Sequence, residues 1–178
     1  MKEYDFALVA ISKIEINNEV ICEIANELMD HGIEDCTLSS RGNTLILEFD
    51  REAKSYKDAV MSAIRDVESL NYLVVKSVDA GQYVGLSDAA ELSALTRSAL
   101  SKFSKGERGN GKFPTPYLRV TGKTPLYDWS EIASWLASKG LVDTEIVKNA
   151  HFTSMINMAL KLRKGELTEV SLLISELA

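Results

Sequence analysis

Histidine and cysteine are scarce in this chain, with two of each among 178 residues. Cys22 and Cys36 lack C-x-x-C spacing, and with His31 and His151 they form no recognisable metal set and no Cys/His nucleophile pair. No Ser/His/Asp arrangement or pair of convergent carboxylates stands out either, so neither an enzyme nor a bound metal or cofactor is expected. Long apolar runs are missing too. None reaches the ~18 residues of a membrane-spanning helix. The opening MKEYDF leads into an apolar strand without a signal-peptide pattern. The expectation is a cytoplasmic protein with no membrane partner. With 46% hydrophobic and 26% charged residues the chain can build real cores, and we expect two compact units rather than disorder.

What is present is an uneven charge distribution. Residues 1–84 hold 8 Lys/Arg against 16 Asp/Glu, net −8, whereas residues 85–123 hold 7 against 3, net +4. Residues 124–178 return to net −2, with 5 against 7. Between Thr96 and Lys123 the only acid is Glu107. A solvated face mixes both signs, so a one-sided island of this kind suits neutralisation of phosphates.

The first segment reads strand, helix, strand, strand, helix, strand. FALVAI (6–11) is a central strand. Asn17 or Asn18 opens a helix with Val20, Ile21, Ile24 and Leu28 on one face, and Gly32 closes it. CTLSS and TLILEF form a hairpin around RGN, with Leu45, Leu47 and Phe49 alternating toward one side. Ser55 then caps a helix whose stripe is Tyr56, Val60, Ile64 and Val67, and YLVVKSV (72–78) is the last strand. The order βαββαβ in residues 1–80 predicts an α+β, ferredoxin-like sandwich with both helices on one face. This segment has no glycine-rich phosphate loop and no stacked strand aromatics, so it reads as a structural or dimerising module, with ligand sensing as the alternative. DAGQYVG (79–85) is taken as the connector.

From residue 81 the pattern turns helical. GLSDAAELSALTRSALSKFSKG fits a helix-turn-helix in which Ser87 caps the first helix and Thr96 the second, with Ala90 at the crossing and Leu95, Leu100 and Phe103 buried. Ala94 occupies the turn position where glycine would be at ease. The outward set is then Arg97, Ser98, Ser101, Lys102 and Lys105. A flexible Gly-rich basic loop with Arg108 and Lys112 follows, then the strands YLRV and PLYDW around TGKT, whose tip is Lys123. Asp128 caps a helix with Ile132, Trp135 and Leu136 inside, ended by Gly140; Trp129 and Trp135 are assigned to the core.

FPTPYLRV, TGKT, PLYDW and EIASWL, in this order after a helix-turn-helix, resemble the winged helix-turn-helix of bacterial and phage excisionase-like and MerR-like DNA-binding proteins. The likeness covers Gly85 to Gly140. It implies a recognition helix in the major groove bearing Thr96, Arg97, Ser98, Ser101 and Lys102. It also implies a wing touching DNA through Lys123, with Arg119 on a wing strand. Ala94, and Asp128 where basic residues are common, depart from the pattern.

The tail, 141–178, predicts a long helix from Thr144 to Gly165 and a shorter one with Val170, Leu173, Ile174 and Leu177 on its apolar face. These helices either pack on their own domain or join two copies. The function expected is sequence-specific binding of double-stranded DNA by a dimeric transcriptional regulator of bacterial or phage origin. The alternatives are an excisionase-like architectural protein that bends DNA, and a DNA-binding antitoxin or adaptor whose acidic N-terminal domain holds a protein partner.

Overall fold

The structure is a computed structural model that describes residues 1–163, 165 and 167–177. Among these residues it is a mixed α+β chain with a four-stranded antiparallel sheet and seven helices. No helix among them is long and apolar enough to cross a membrane. Two compact units form: residues 1–79 with the segment from 155 onward, and residues 80–154.

The first unit contains β1 (Lys2–Ser12), α1 (Asn18–Asp30), β2 (Cys36–Arg41), β3 (Thr44–Ala53), α2 (Tyr56–Ser69) and β4 (Leu73–Asp79), with sheet order β2-β3-β1-β4. Strict alternation makes one face the core. Along β1, Tyr4, Phe6, Leu8, Ala10 and Ser12 are buried, and along β3 so are Leu45, Leu47, Phe49, Arg51 and Ala53. Helix α2 presents Tyr56, Val60, Ala63, Ile64 and Val67 as its buried side, and the Tyr56 ring meets Phe6 and Tyr4 edge-on. The start of α1 follows from Asn17, whose Oδ1 accepts from Val20 N at 2.9 Å, and that of α2 from Ser55, which accepts from Asp58 N at 3.1 Å.

Burying Arg51 needs a reason, because a lone guanidinium on a core face is costly. Its Nε and Nη2 donate to the two oxygens of Asp35 at 2.6 and 2.8 Å, and its Nη1 donates to Asp66 at 2.6 Å and Ser62 at 3.1 Å. The Phe49 ring lies 4.8 Å beneath it. The guanidinium hydrogen bond holds the Asp35 carboxyl below the ordinary carboxylate range, against a smaller upward push from burial.

The outer edge of β4 is closed by side chains. Val75 N donates to Glu68 at 2.8 Å and Val75 O accepts from Arg163 at 2.7 Å. The Asn157 amide pairs with both Val78 N, at 2.7 Å, and Val78 O, at 2.9 Å. Glu68 and Arg163 are themselves ion-paired. Burial pushes the Glu68 carboxyl up, but Arg163 and the Val75 N–H outweigh it and hold the group below its usual value.

The second unit contains β5 (Tyr83–Val84), α3 (Leu86–Ser93), α4 (Arg97–Ser104), β6 (Tyr127–Asp128), α5 (Trp129–Ser138) and the first part of α6 (Thr144–Leu162). Its core gathers Val84, Ala89, Leu100, Phe103, Tyr127, Trp129, Ile132, Trp135, Leu136 and Ala150, so both tryptophans are interior. The stretch 141–178 is thereby divided: Ala150 serves this core, while Asn157 and Arg163 serve the β4 edge. The last helix, α7 (Leu167–Leu177), buries none of its residues.

Two local expectations are corrected. Tyr83 and Val84 pair with Asp128 and Tyr127 as a two-stranded ladder, so the connector is shorter than 79–85. Both residues are β-formers, and pairing with Tyr127 and Asp128 far downstream outweighs the polar look of the segment. Helix α3 is capped by Gly85 rather than Ser87: Asp88 reaches back to accept the Gly85 N–H at 2.9 Å, so the box closes on the glycine.

Candidate nucleic-acid interface

Helices α3 and α4 are joined by a turn whose pivot is Ala94, at φ 53°. This left-handed conformation crowds a Cβ, so the alanine adopts the glycine-like turn at a cost of about 1 to 2 kcal/mol. Thr96 then opens α4, its Oγ1 accepting from Ala99 N at 3.1 Å. Leu100 and Phe103 turn inward, which leaves Thr96, Arg97, Ser98, Lys102 and Lys105 exposed on the opposite side. Ser101 is half-buried, and its carbonyl receives Ser104 Oγ at 2.9 Å. It therefore stands at the margin of the outward face.

The loop after α4 touches the core at Gly109. Gly109 sits at φ 84°, and a Cβ there would lie 2.7 Å from the Trp135 ring, so only glycine allows the loop to rest on the Phe103, Phe113 and Trp135 cluster. Arg108 lies 5.4 Å over the Phe103 ring with its charge exposed, and Lys112 is exposed at φ 60°.

The hairpin beyond is shorter than the sequence suggests. Leu118 and Leu126 exchange hydrogen bonds of 3.0 and 2.9 Å as a single bridge, and Tyr117 N donates to Leu126 O at 2.7 Å. Arg119, at φ 53°, begins the turn, and Gly122 N returns to Arg119 O at 2.8 Å. Arg119 and Val120 thus leave the strand, and Lys123 falls one residue past the turn. Both cations are exposed.

Arg97 and Lys123 are 26 positions apart, yet they line one pocket of about 320 Å³ with Ser87, Asp88, Thr124 and Leu126. The start of the outward helix and the hairpin therefore converge beside the first turn of α3. Lys102, Lys105, Arg108, Lys112 and Arg119 lie outside that lining.

Among the described residues, no ion pair is made by Arg97, Lys102, Lys105, Arg108, Lys112, Arg119 or Lys123. All seven are exposed. Comparison with protein-family models, with curated proteins and with solved structures finds no match to this chain.

One pair of residues escaped the sequence reading. The exposed rings of Tyr83 and Tyr117 stack with centroids 5.4 Å apart and an interplanar angle of 18°, beside the hairpin. Burial, helped by Tyr117 and Asp128, pushes the Tyr83 hydroxyl above its ordinary pKa. The available signal was the β-prone Tyr-Val step within the presumed connector.

Proposed function

We propose that residues 80–154 are a winged helix-turn-helix that binds double-stranded DNA, and that the chain acts as a dimeric, sequence-specific transcriptional regulator. The observation that carries this reading is the set of cations between Arg97 and Lys123, exposed and, among the described residues, without carboxylate partners. Charge that is not spent inside the protein is what counterion release from DNA requires. In this reading α4 enters the major groove, with Arg97, Ser98 and Lys102 facing base edges. Lys123 and Arg119 on the hairpin, with Lys105, Arg108 and Lys112 beside α4, hold phosphates.

The first unit has the element order and strand order of a ferredoxin-like split βαβ sandwich, which supports reading it as an assembly or partner-binding module. Dimerisation is assigned to α7. Leu167, Val170, Ile174 and Leu177 recur at spacings of three and four, and Leu167, Ile174 and Leu177 are 59%, 61% and 88% exposed. A helix with such a seam and no buried residue is suited to packing against its own copy.

Selection of bound fragments from a random double-stranded DNA library tests the reading. A two-fold symmetric site is expected. Enrichment without sequence preference, accompanied by bending, would assign the protein to DNA architecture instead, and no binding at low salt would remove DNA as the ligand.

A further inference from the structure

The two edges of the four-stranded sheet are treated differently. At β4, Glu68, Arg163 and Asn157 occupy the outward N–H and C=O groups of Val75 and Val78, which closes that edge to another strand. At β2 the ladder itself shows which groups face out. Asp50 N donates to Asp35 O at 3.0 Å, and hydrogen-bonded pairs alternate along antiparallel strands, so Thr37, Ser39 and Arg41 turn their backbone groups toward β3. Cys36, Leu38 and Ser40 turn theirs away, and among the described residues no hydrogen bond from any other element reaches them.

An edge left to solvent is commonly blunted by a lysine, a proline or a bulge, and residues 36–40, CTLSS, carry none of these. The helix beside them is uncharged on the same side. Ala25 and Met29 of α1 wall a groove of about 320 Å³ with Cys36 and Leu38, in whose lining the only charge is Glu34. Cys22 lies one turn before Ala25 on this stripe, and Met29 is 61% exposed. Helical period carries Glu19, Glu23 and Asp30 to other faces of α1, and Glu27 accepts from the Tyr72 hydroxyl at 2.7 Å.

Charge complementarity identifies the occupant as a second copy of the chain. On the sheet face away from the helices, Arg41 stands at one end of β2 opposite Thr44, while Glu48 and Asp50 lie on β3 toward the other end. Among the described residues none of these three charged groups makes an ion pair. Two β2 strands pairing antiparallel about a two-fold axis at Leu38 set Leu38 against Leu38, Cys36 against Ser40 and Asp35 against Arg41. Every outward backbone group of Cys36, Leu38 and Ser40 is then used in both copies. Asp50 is the β3 neighbour of Asp35, so Arg41 of each copy comes within two strand spacings, about 10 Å between Cα atoms, of Asp50 in the other, a gap an arginine side chain spans. The symmetry gives this pairing twice, whereas a neutral strand of another protein gains neither.

We propose that the chain self-associates through β2, two copies joining their sheets into one of eight antiparallel strands with the α1–β2 grooves on the same side of the two-fold axis. This contact gives the first unit the assembly role proposed above and depends neither on the α7 seam nor on DNA.

Amide hydrogen exchange, followed by NMR on the full chain from micromolar to millimolar protein, reads the contact residue by residue. The Cys36, Leu38 and Ser40 amides are expected to slow at least about tenfold as concentration rises. Ser40→Pro removes an outward N–H without touching the β3 ladder, and should erase the slowing while leaving the unfolding midpoint at low concentration unchanged. Arg41→Glu should weaken association about tenfold, and adding Asp50→Lys to the same chain should restore it. Exchange at these three amides that ignores concentration would overturn the proposal, as would slowing that survives Ser40→Pro or an Arg41→Glu defect that Asp50→Lys leaves in place. Association in sedimentation without that slowing would leave α7 as the contact and equally refute β2 pairing. No association at any concentration would remove the assembly role of the first unit as well.

Discussion

The sheet unit and the helical unit use their cations in opposite ways. In the first, Arg51 is gripped by Asp35 and Asp66, and Arg163 by Glu68, so each guanidinium is held by carboxylates from other segments of the chain. In the second, the cations from Arg97 to Lys123 stand on the surface without a carboxylate partner among the described residues. Net charge alone hides this contrast. A guanidinium held in a fork of carboxylates cannot be removed without leaving them uncompensated, whereas an unpaired one is free to contact a ligand.

The largest expected effect breaks the first half of that contrast. Replacing Arg51 with Met should cost about 2 to 4 kcal/mol in urea unfolding, because Asp35 and Asp66 lose their partner, moderated by their partial exposure. Asp35 has a lowered pKa in the fold, so its contribution is complete above about pH 4 and is lost as pH falls through the folded value. The acid limb of the wild-type stability curve should therefore flatten in Arg51→Met, while binding to DNA by the folded protein stays unchanged.

Next comes the second half. Arg97→Ala should reduce discrimination between a selected site and random DNA by about 1 to 3 kcal/mol, read from competition binding, with no change in unfolding midpoint. A smaller effect concerns the turn that aims α4. Ala94→Gly relieves the left-handed alanine but loosens the unfolded chain, for a net gain of about 0.5 to 1 kcal/mol in thermal or urea unfolding. Smallest is Lys123→Ala, which should weaken selected and random DNA alike and lower the salt slope by about 1.

Much of this arrangement was legible in the residues, and its misses have identifiable causes. Ile24 and Leu28 on α1, the alternation Leu45, Leu47, Phe49, and the caps Ser55, Thr96 and Asp128 all appear where local pattern places them. Arg51 was missed because the strand was ended at Phe49; continued by two residues, the same alternation points its side chain into the core. Gly85 was passed over for Ser87 because a glycine has no side chain to signal a cap, and the signal lay in Asp88 three residues on. In the candidate site, the exposed face of α4 follows from helical period alone. The convergence of Arg97 with Lys123 does not, since it depends on where the hairpin folds back.

The most direct measurement is the affinity of the full chain for random-sequence double-stranded DNA as a function of salt concentration. If the unpaired cations contact phosphates, log K should fall linearly with log salt at a slope of about −3 or steeper. A slope near zero, or no binding at low salt, would contradict the assignment of those cations to DNA.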